Sequence, residues 1–216
     1  MFKNRLCLII PMAFLFGFYS CSELLEDSNT EEDPTEEPKD DTPSKPENKT
    51  VAEKFADRLN QIRSNPTKYG ESVGVDLSYV KPMPALNWND VLAKVAQQKA
   101  QDMADRNYFS HVSLDGCGVN ILMNQAGYKL DPSWYSDPSL NYFESLQAGC
   151  STIDDAIFNL IEDSGTNNVM DKGHRNHLLG ITDWNASLYD IGVGYGYSSH
   201  STYKHYWSII IAKHEY

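Results

Sequence analysis

Apolar residues recur at helical spacing over residues 51–64 (V-A-E-K-F-A-D-R-L-N-Q-I-R-S), at positions 51, 52, 55, 59 and 62. Asn65-Pro66 stops the helix this period predicts, and an irregular stretch with Gly70, Gly74, Pro82 and Pro84 follows. The longest periodic stretch is 88–116. Asn89 and Asp90 provide an N-cap and an acidic first turn, and no Pro or Gly interrupts before Gly116. Val95, Ala96, Ala100, Met103 and Ala104 recur at helical spacing among Gln, Lys and Asp. An Ala-rich stripe lets another element approach closely, so this reads as a core helix packed tightly on one face. It runs out into Tyr108-Phe109-Ser110-His111, where two aromatics bury the helix end and His111 is carried past it.

Residues 119–127 read as a short helix closed by Gly127, and 129–140 as a loop rich in Pro, Ser, Asp and aromatics. Residues 141–146 form a short extended segment that Gly149 ends. Ser151 or Thr152 caps a helix running to about Asp163, with Asp154 and Asp155 in its first turn. A polar loop covers 164–172, and 173–179 makes one or two helical turns. The end is β. Residues 188–197 alternate large side chains with Asp or Gly, and Gly along one face lets something lie close against the strand. Residues 198–202 turn, and 203–212 (Y-K-H-Y-W-S-I-I-I-A) return as a strand of aromatic and β-branched residues. Helices first and a hairpin last predict an α+β fold with an antiparallel sheet, not a Rossmann arrangement.

Charge narrows the partners. The 216 residues carry 30 Asp and Glu against 18 Lys and Arg, a net charge of −12, which argues against nucleic acid. Much of the excess lies in 27–41. Residues 1–21 read as an export signal: Lys3 and Arg5 open it, and 8–18 is an apolar run short for a membrane span. It ends in Phe18-Tyr19-Ser20-Cys21, which resembles a bacterial lipobox with bulkier residues than usual. Cys21 is then the lipid-bearing first residue of the mature chain; under ordinary signal cleavage it stays a thiol. Either way the address is extracytoplasmic, and under lipidation it is the bacterial envelope, at the outer membrane or cell surface. Residues 22–50 have almost no apolar content after Leu25. Pro34, Pro38, Pro43 and Pro46 and like charges make them an extended linker holding a domain over 51–216 away from the membrane. Cys7 leaves with the signal. Cys117 and Cys150 remain, as a disulfide or as two buried thiols; each lies six residues past a motif residue, His111 and Glu144.

Eight short motifs occur in one order: Asn60-Gln61-Ile62-Arg63, Leu86-Asn87-Trp88-Asn89, Tyr108-Phe109-Ser110-His111, Asp115-Gly116, Ala126-Gly127-Tyr128, Glu144, Gly173-His174-Arg175 and Ile191-Gly192-Val193-Gly194. In that order and spacing the chain resembles the CAP superfamily of cysteine-rich secretory, antigen 5 and pathogenesis-related 1 proteins, and looks like its bacterial, SCP-like branch. The resemblance covers about residues 51–212. It implies a three-layer α/β/α sandwich in which helices flank a small antiparallel sheet. It also implies a cleft with two His and two acids, matched here by His111, His174, Glu144 and, before the Gly-His motif, Asp163, with Glu162 one position off. The family's usual Gly-Glu-Asn is Phe143-Glu144-Ser145 in this chain.

Such a cluster has three chemical readings. Two imidazoles with two carboxylates can hold Zn²⁺ or another divalent cation, with His111 and His174 as ligands. Carboxylates can instead orient imidazoles and poise one as a general base. The third reading is a satisfied polar network that braces the cleft. No nucleophile motif is present: there is no G-x-S-x-G and no H-E-x-x-H, and Ser110 and Ser113 are ordinary loop serines. His177, His200, His205 and His214 read as surface or sheet residues rather than ligands. The expectation is a surface-tethered module whose cleft binds a lipid-like, glycan or peptide ligand. The alternative is a His/acid or metal-dependent hydrolase, a peptidase. The four cleft residues are expected to converge from four separate segments.

Overall fold

A computed structural model of the chain describes residues 49–165, 168 and 171–214. The export signal, Cys21 and nearly all of the linker over 22–50 lie outside the described residues.

Helix α1 (Val51–Ser64) starts in a full capping box: Thr50 accepts from the Glu53 amide, and Glu53 reaches back to the Thr50 amide at 2.7 Å. It buries Phe55, Ala56, Leu59 and Ile62. Asn65 ends it and at once caps a second helix, α2 (Pro66–Val73), accepting from the Lys68 amide. The irregular stretch expected after Pro66 is therefore helical at its start. Proline there stops one helix and suits the first position of the next, where no amide is needed.

Strand β1 (Asn87–Trp88) leads into α3 (Asp90–Arg106), whose N-cap Asn89 accepts from the Val91 and Leu92 amides. Then come α4 (Val119–Gln125), a 3₁₀ turn at Pro132–Tyr135 inside the expected loop, and β2 (Glu144–Ala148). Helices α5 (Ile153–Glu162), α6 (Gly173–Leu179) and the unanticipated one-turn α7 (Asp183–Ala186) precede β3 (Asp190–Tyr197) and β4 (His205–Ala212). The sheet order is β1-β3-β4-β2. The long pairs are antiparallel; β1 joins β3 in parallel over two residues, Asn87 opposite Asp190 and Trp88 opposite Ile191.

Alternation along β3 makes the three layers. Gly192, Gly194 and Gly196 face α3 so closely that an added Cβ would stand 2.2 Å from backbone atoms of Leu92 and Ala93, Ala96, and Ala100 respectively. The steps match: four residues of helix advance about 6 Å and two of strand about 6.6 Å, so each glycine meets the next turn of α3. The Ala stripe and the glycine stripe are thus two halves of one contact. The opposite face carries Ile191, Val193, Trp207, Ile209 and Ile211, all buried, and packs against α1, with α5 and α6 alongside. Phe55 of α1 meets Trp207 of β4 with ring centroids 5.4 Å apart. This is the α/β/α sandwich expected, with β2 left as an open edge between the helical layers.

Cys117 and Cys150 are not joined, because Cys150 is a free thiol. Equal offsets from His111 and Glu144 do not bring them together. After His111 the chain folds back through the Val112–Gly118 bridge, whereas a strand advances about 3.3 Å per residue, so β2 carries Cys150 away from Glu144. Cys150 Sγ instead accepts from Asn159 Nδ2 at 2.9 Å and Gln147 Nε2 at 3.2 Å, and burial pushes its thiol up.

Candidate functional site

His111 and Glu144 come from the α3 side of the sheet. Helix α3 ends at Asn107 in the left-handed region, φ 52°, and the chain turns away through Tyr108. That turn is held by Tyr108, whose hydroxyl bonds the Asp102 carboxylate and whose ring is met by Lys99 and Arg106 at 5.0 and 5.6 Å. Beyond it, His111 Nδ1 sits 2.8 Å from Glu144 Oε2. The Glu144 carboxylate has no exposed surface, and its other oxygen accepts from Ser208 Oγ at 2.7 Å. Lys99 is buried near it; burial pushes the ammonium down from the usual lysine range, and the Glu144 and Asp102 charges oppose the shift. His111 Nδ1 also lies 3.2 Å from Asn141 Nδ2, and among the described residues no hydrogen bond reaches its Nε2.

His174 and Asp163 come from the other helical layer. Asp163 closes α5 in the left-handed region at φ 44°, a conformation Asp tolerates better than most residues. Its Oδ2 accepts the His174 amide at 3.1 Å, and its Oδ1 faces His174 Nδ1 at 3.1 Å. The carboxylate therefore serves both the first turn of α6 and the imidazole. Glu162 contributes backbone instead: its carbonyl accepts from Lys172 Nζ at 3.1 Å and Arg175 Nη2 at 3.0 Å, which locks the end of α5 to the start of α6. Of the two acids offered by the sequence, Asp163 is the one on His174.

All four residues line one open cleft of about 530 Å³ beside β2, with Asn141, Tyr142, Ser145, His177 and Trp184 among the other walls. The convergence expected from the sequence is present, as two separate His–carboxylate pairs, one from each layer. Asn141 frames the first pair: its Oδ1 accepts the Glu144 amide and its Nδ2 donates to the Glu144 carbonyl, each at 2.9 Å. Sequence reading passed over this residue, although an Asn three positions before a strand is a usual backbone-capping signal.

His177 was expected at the surface or in the sheet; it is buried in the cleft floor. Its Nδ1 faces Ser145 Oγ at 2.8 Å and its Nε2 faces the Ile211 carbonyl at 3.3 Å. The carbonyl can only accept, so Nε2 carries the proton and Ser145 donates to Nδ1. Burial pushes this imidazole down to about 4. Its spacing of three from His174 was the available signal, since that places both on one face of a helix. His200 lies on the exposed turn, and His205 bonds Tyr195 Oη at 2.6 Å across the hairpin, both as expected. His214 follows β4 and pairs with Asp190 at 3.3 Å.

Two chemical readings of the cleft weaken. The Ser145–His177 pair has the outline of a nucleophile and its base, but an imidazole held near 4 is a poor base at neutral pH, and a carbonyl rather than a carboxylate orients it. A metal centre with three or four protein ligands does not fit either: among the described residues no three His, Cys, Asp or Glu side chains are grouped to hold one ion. His111 and His174 keep their Nδ1 atoms on carboxylates, so each offers only Nε2.

The fold is similar to an extracellular protein containing an SCP domain from Bacillus anthracis, at 20% identity and TM-score 0.47, covering 76% of this chain and 42% of that one. It is also similar to an outer surface protein from Borrelia burgdorferi, at 15% identity and TM-score 0.47, covering 75% and 94%. The chain thus spans less than half the length of the Bacillus protein. No curated protein matches it. The model of the cysteine-rich secretory protein family, CAP, matches residues 56–211, and the chain belongs to that family.

Proposed function

We propose that this protein is a surface-tethered, extracytoplasmic binding module whose His/acid cleft holds a ligand. The observation that carries this reading is the placement of the two His–carboxylate pairs. Each comes from a different layer, each is locked by backbone or hydroxyl hydrogen bonds, both line one open cleft, and among the described residues neither Nε2 has a hydrogen-bond partner. Rigid donors and acceptors around a 530 Å³ space suit recognition of a polar or amphipathic ligand. Among the described residues no side chain lining the cleft is an activated nucleophile, which favours binding over hydrolysis.

The tether belongs to the same proposal. Residues 1–21 direct export, Cys21 carries lipid, and the acidic, Pro-rich linker holds the domain off the membrane. Among the described residues no helix is long and apolar enough to cross a membrane.

Screening the purified protein against glycan, lipid and peptide libraries tests the cleft, with His111→Ala/His174→Ala as the control. A ligand bound by wild type and lost by the double variant supports the reading. Turnover of any library member, abolished by the same variant, would replace it with an enzyme.

A further inference from the structure

The open edge of β2 is incomplete in a specific way. The Ile211 amide donates to the Phe143 carbonyl and the Gly149 amide to the His205 carbonyl, both at 2.9 Å. In an antiparallel ladder such pairs alternate, so residues 145 and 147 also turn their backbone groups toward β4, and residues 144, 146 and 148 turn theirs outward. At Glu144 the outward amide and carbonyl are both met by the Asn141 side chain, which stands where one rung of a neighbouring strand would be. At Leu146 and Ala148 nothing among the described residues meets them.

Space lies beside these two rungs. A groove of about 300 Å³ runs along Leu146, Gln147 and Ala148, between Phe109 and Tyr203 on one side and Asp163 and His174 on the other. Phe109 and Tyr203 are 45% and 47% exposed, and their rings meet at a tilt of 58° with centroids 5.9 Å apart. Gln147 Oε1 is enclosed there without a hydrogen-bond partner among the described residues. No Lys, Arg or Pro guards the strand, although such residues commonly block an exposed edge.

We infer that the β2 edge takes up an extended peptide segment as a short additional strand, with an apolar side chain on the Phe109–Tyr203 wall and the chain led toward the Asp163–His174 pair. A row of alternating amides and carbonyls is the recognition chemistry of peptide backbone, and neither a glycan nor an acyl chain presents it at strand spacing. The two open rungs span about 6.6 Å, enough for some three residues before Asn141 ends the ladder. A residue opposite Leu146 shares its face and so meets Phe109 and Tyr203; its neighbours turn toward Asp163. This rests on the cleft reading above and names its ligand class.

The test titrates ¹⁵N-labelled protein with the capped peptide acetyl-Thr-Val-Phe-Val-Thr-amide and with the same peptide N-methylated along its backbone. Expected are saturable shifts centred on residues 144–148 and slowed exchange of the Leu146 and Ala148 amides. Binding should fall about tenfold with N-methylation. Ala148→Pro should do the same, because it deletes an outward donor while leaving the bonds to β4 in place. Phe109→Ala should weaken binding without altering strand exchange in the free protein. Absence of shifts, or binding indifferent to both N-methylation and Ala148→Pro, overturns the inference. So does protection of these amides that rises with protein concentration alone, with a dimer in sedimentation, since the edge then belongs to a second copy. A library ligand lost in His111→Ala/His174→Ala but unaffected by Ala148→Pro removes the strand and leaves the cleft reading standing.

Discussion

Asp163 holds His174 twice, through the backbone amide and through Nδ1, each at 3.1 Å, from a left-handed backbone conformation at φ 44°. The three roles separate by substitution. Asp163→Asn keeps an acceptor for the amide and tolerates the backbone, so it should cost about 0.5 kcal/mol of stability while weakening any ligand that needs the oriented imidazole. Asp163→Ala loses the cap and adds backbone strain, for about 2 kcal/mol. Asp163→Gly should fall between them. Denaturant unfolding of the three variants checks the order, and Asp163→Gly less stable than Asp163→Ala would show that the left-handed geometry carries no strain.

His177 predicts an acid-sensitive fold. Its imidazole is buried neutral and pushed down to about 4, whereas in the unfolded chain it protonates near 6.5. Its contribution is fully present above 6.5 and is lost as pH falls from there toward 4, because only the unfolded state takes up the proton in that window. The loss amounts to about 3 kcal/mol across it. Thermal unfolding of wild type and His177→Gln between pH 4 and 8 should show a shallower slope in the variant over that window. Parallel curves would mean the buried imidazole is protonated in the folded protein.

Much of this is legible in the sequence, for a physical reason. The Ala stripe of α3 and the glycines of β3 are two signatures of one close contact, and close contact is what residue size records. The His and acid positions were reachable through family motifs, since each sits at an element end with a fixed neighbour: Phe109 and Ser110 before His111, Gly173 before His174. What escaped were residues whose role depends on a partner far along the chain. His177 turns inward because Ser145 and the Ile211 carbonyl, 32 and 34 residues away, meet it there. Asn65-Pro66 misled because the same dipeptide ends one helix and begins another.

Cys150 is a separate case of that limit, and its thiol state is directly measurable. With no bridge to lose, Cys150→Ala should cost about 1 kcal/mol, the loss of a small half-buried group with two weak hydrogen bonds, rather than the 2–5 kcal/mol typical of removing a native disulfide. Peptide mapping after alkylation in denaturant, without reductant, should find the label on Cys150. An unlabelled Cys150, freed only by reduction, would show a bridge that the fold does not contain.

The contact between β3 and α3 bears the sharpest stability prediction. At Gly194 an added methyl would stand 2.2 Å from the Ala96 carbonyl carbon and oxygen, well inside the distance at which two heavy atoms can rest. Those are backbone atoms of a central helix, so no side chain can rotate out of the way; α3 itself would have to move off the sheet. Its other contacts, at Gly192 and Gly196, would open with it. Gly194→Ala should therefore destabilise by about 3 kcal/mol, the upper range for overpacking a core. Gly173→Ala is the matched control: nothing lies within 4 Å of its Cβ position, and it starts α6, where Ala is a better helix former than Gly. It should leave stability within about 0.5 kcal/mol while adding a methyl beside His174 in the cleft. Chemical denaturation of both variants decides the point. Equal stability would mean that the helix and sheet are not in the backbone contact on which the placement of the cleft depends.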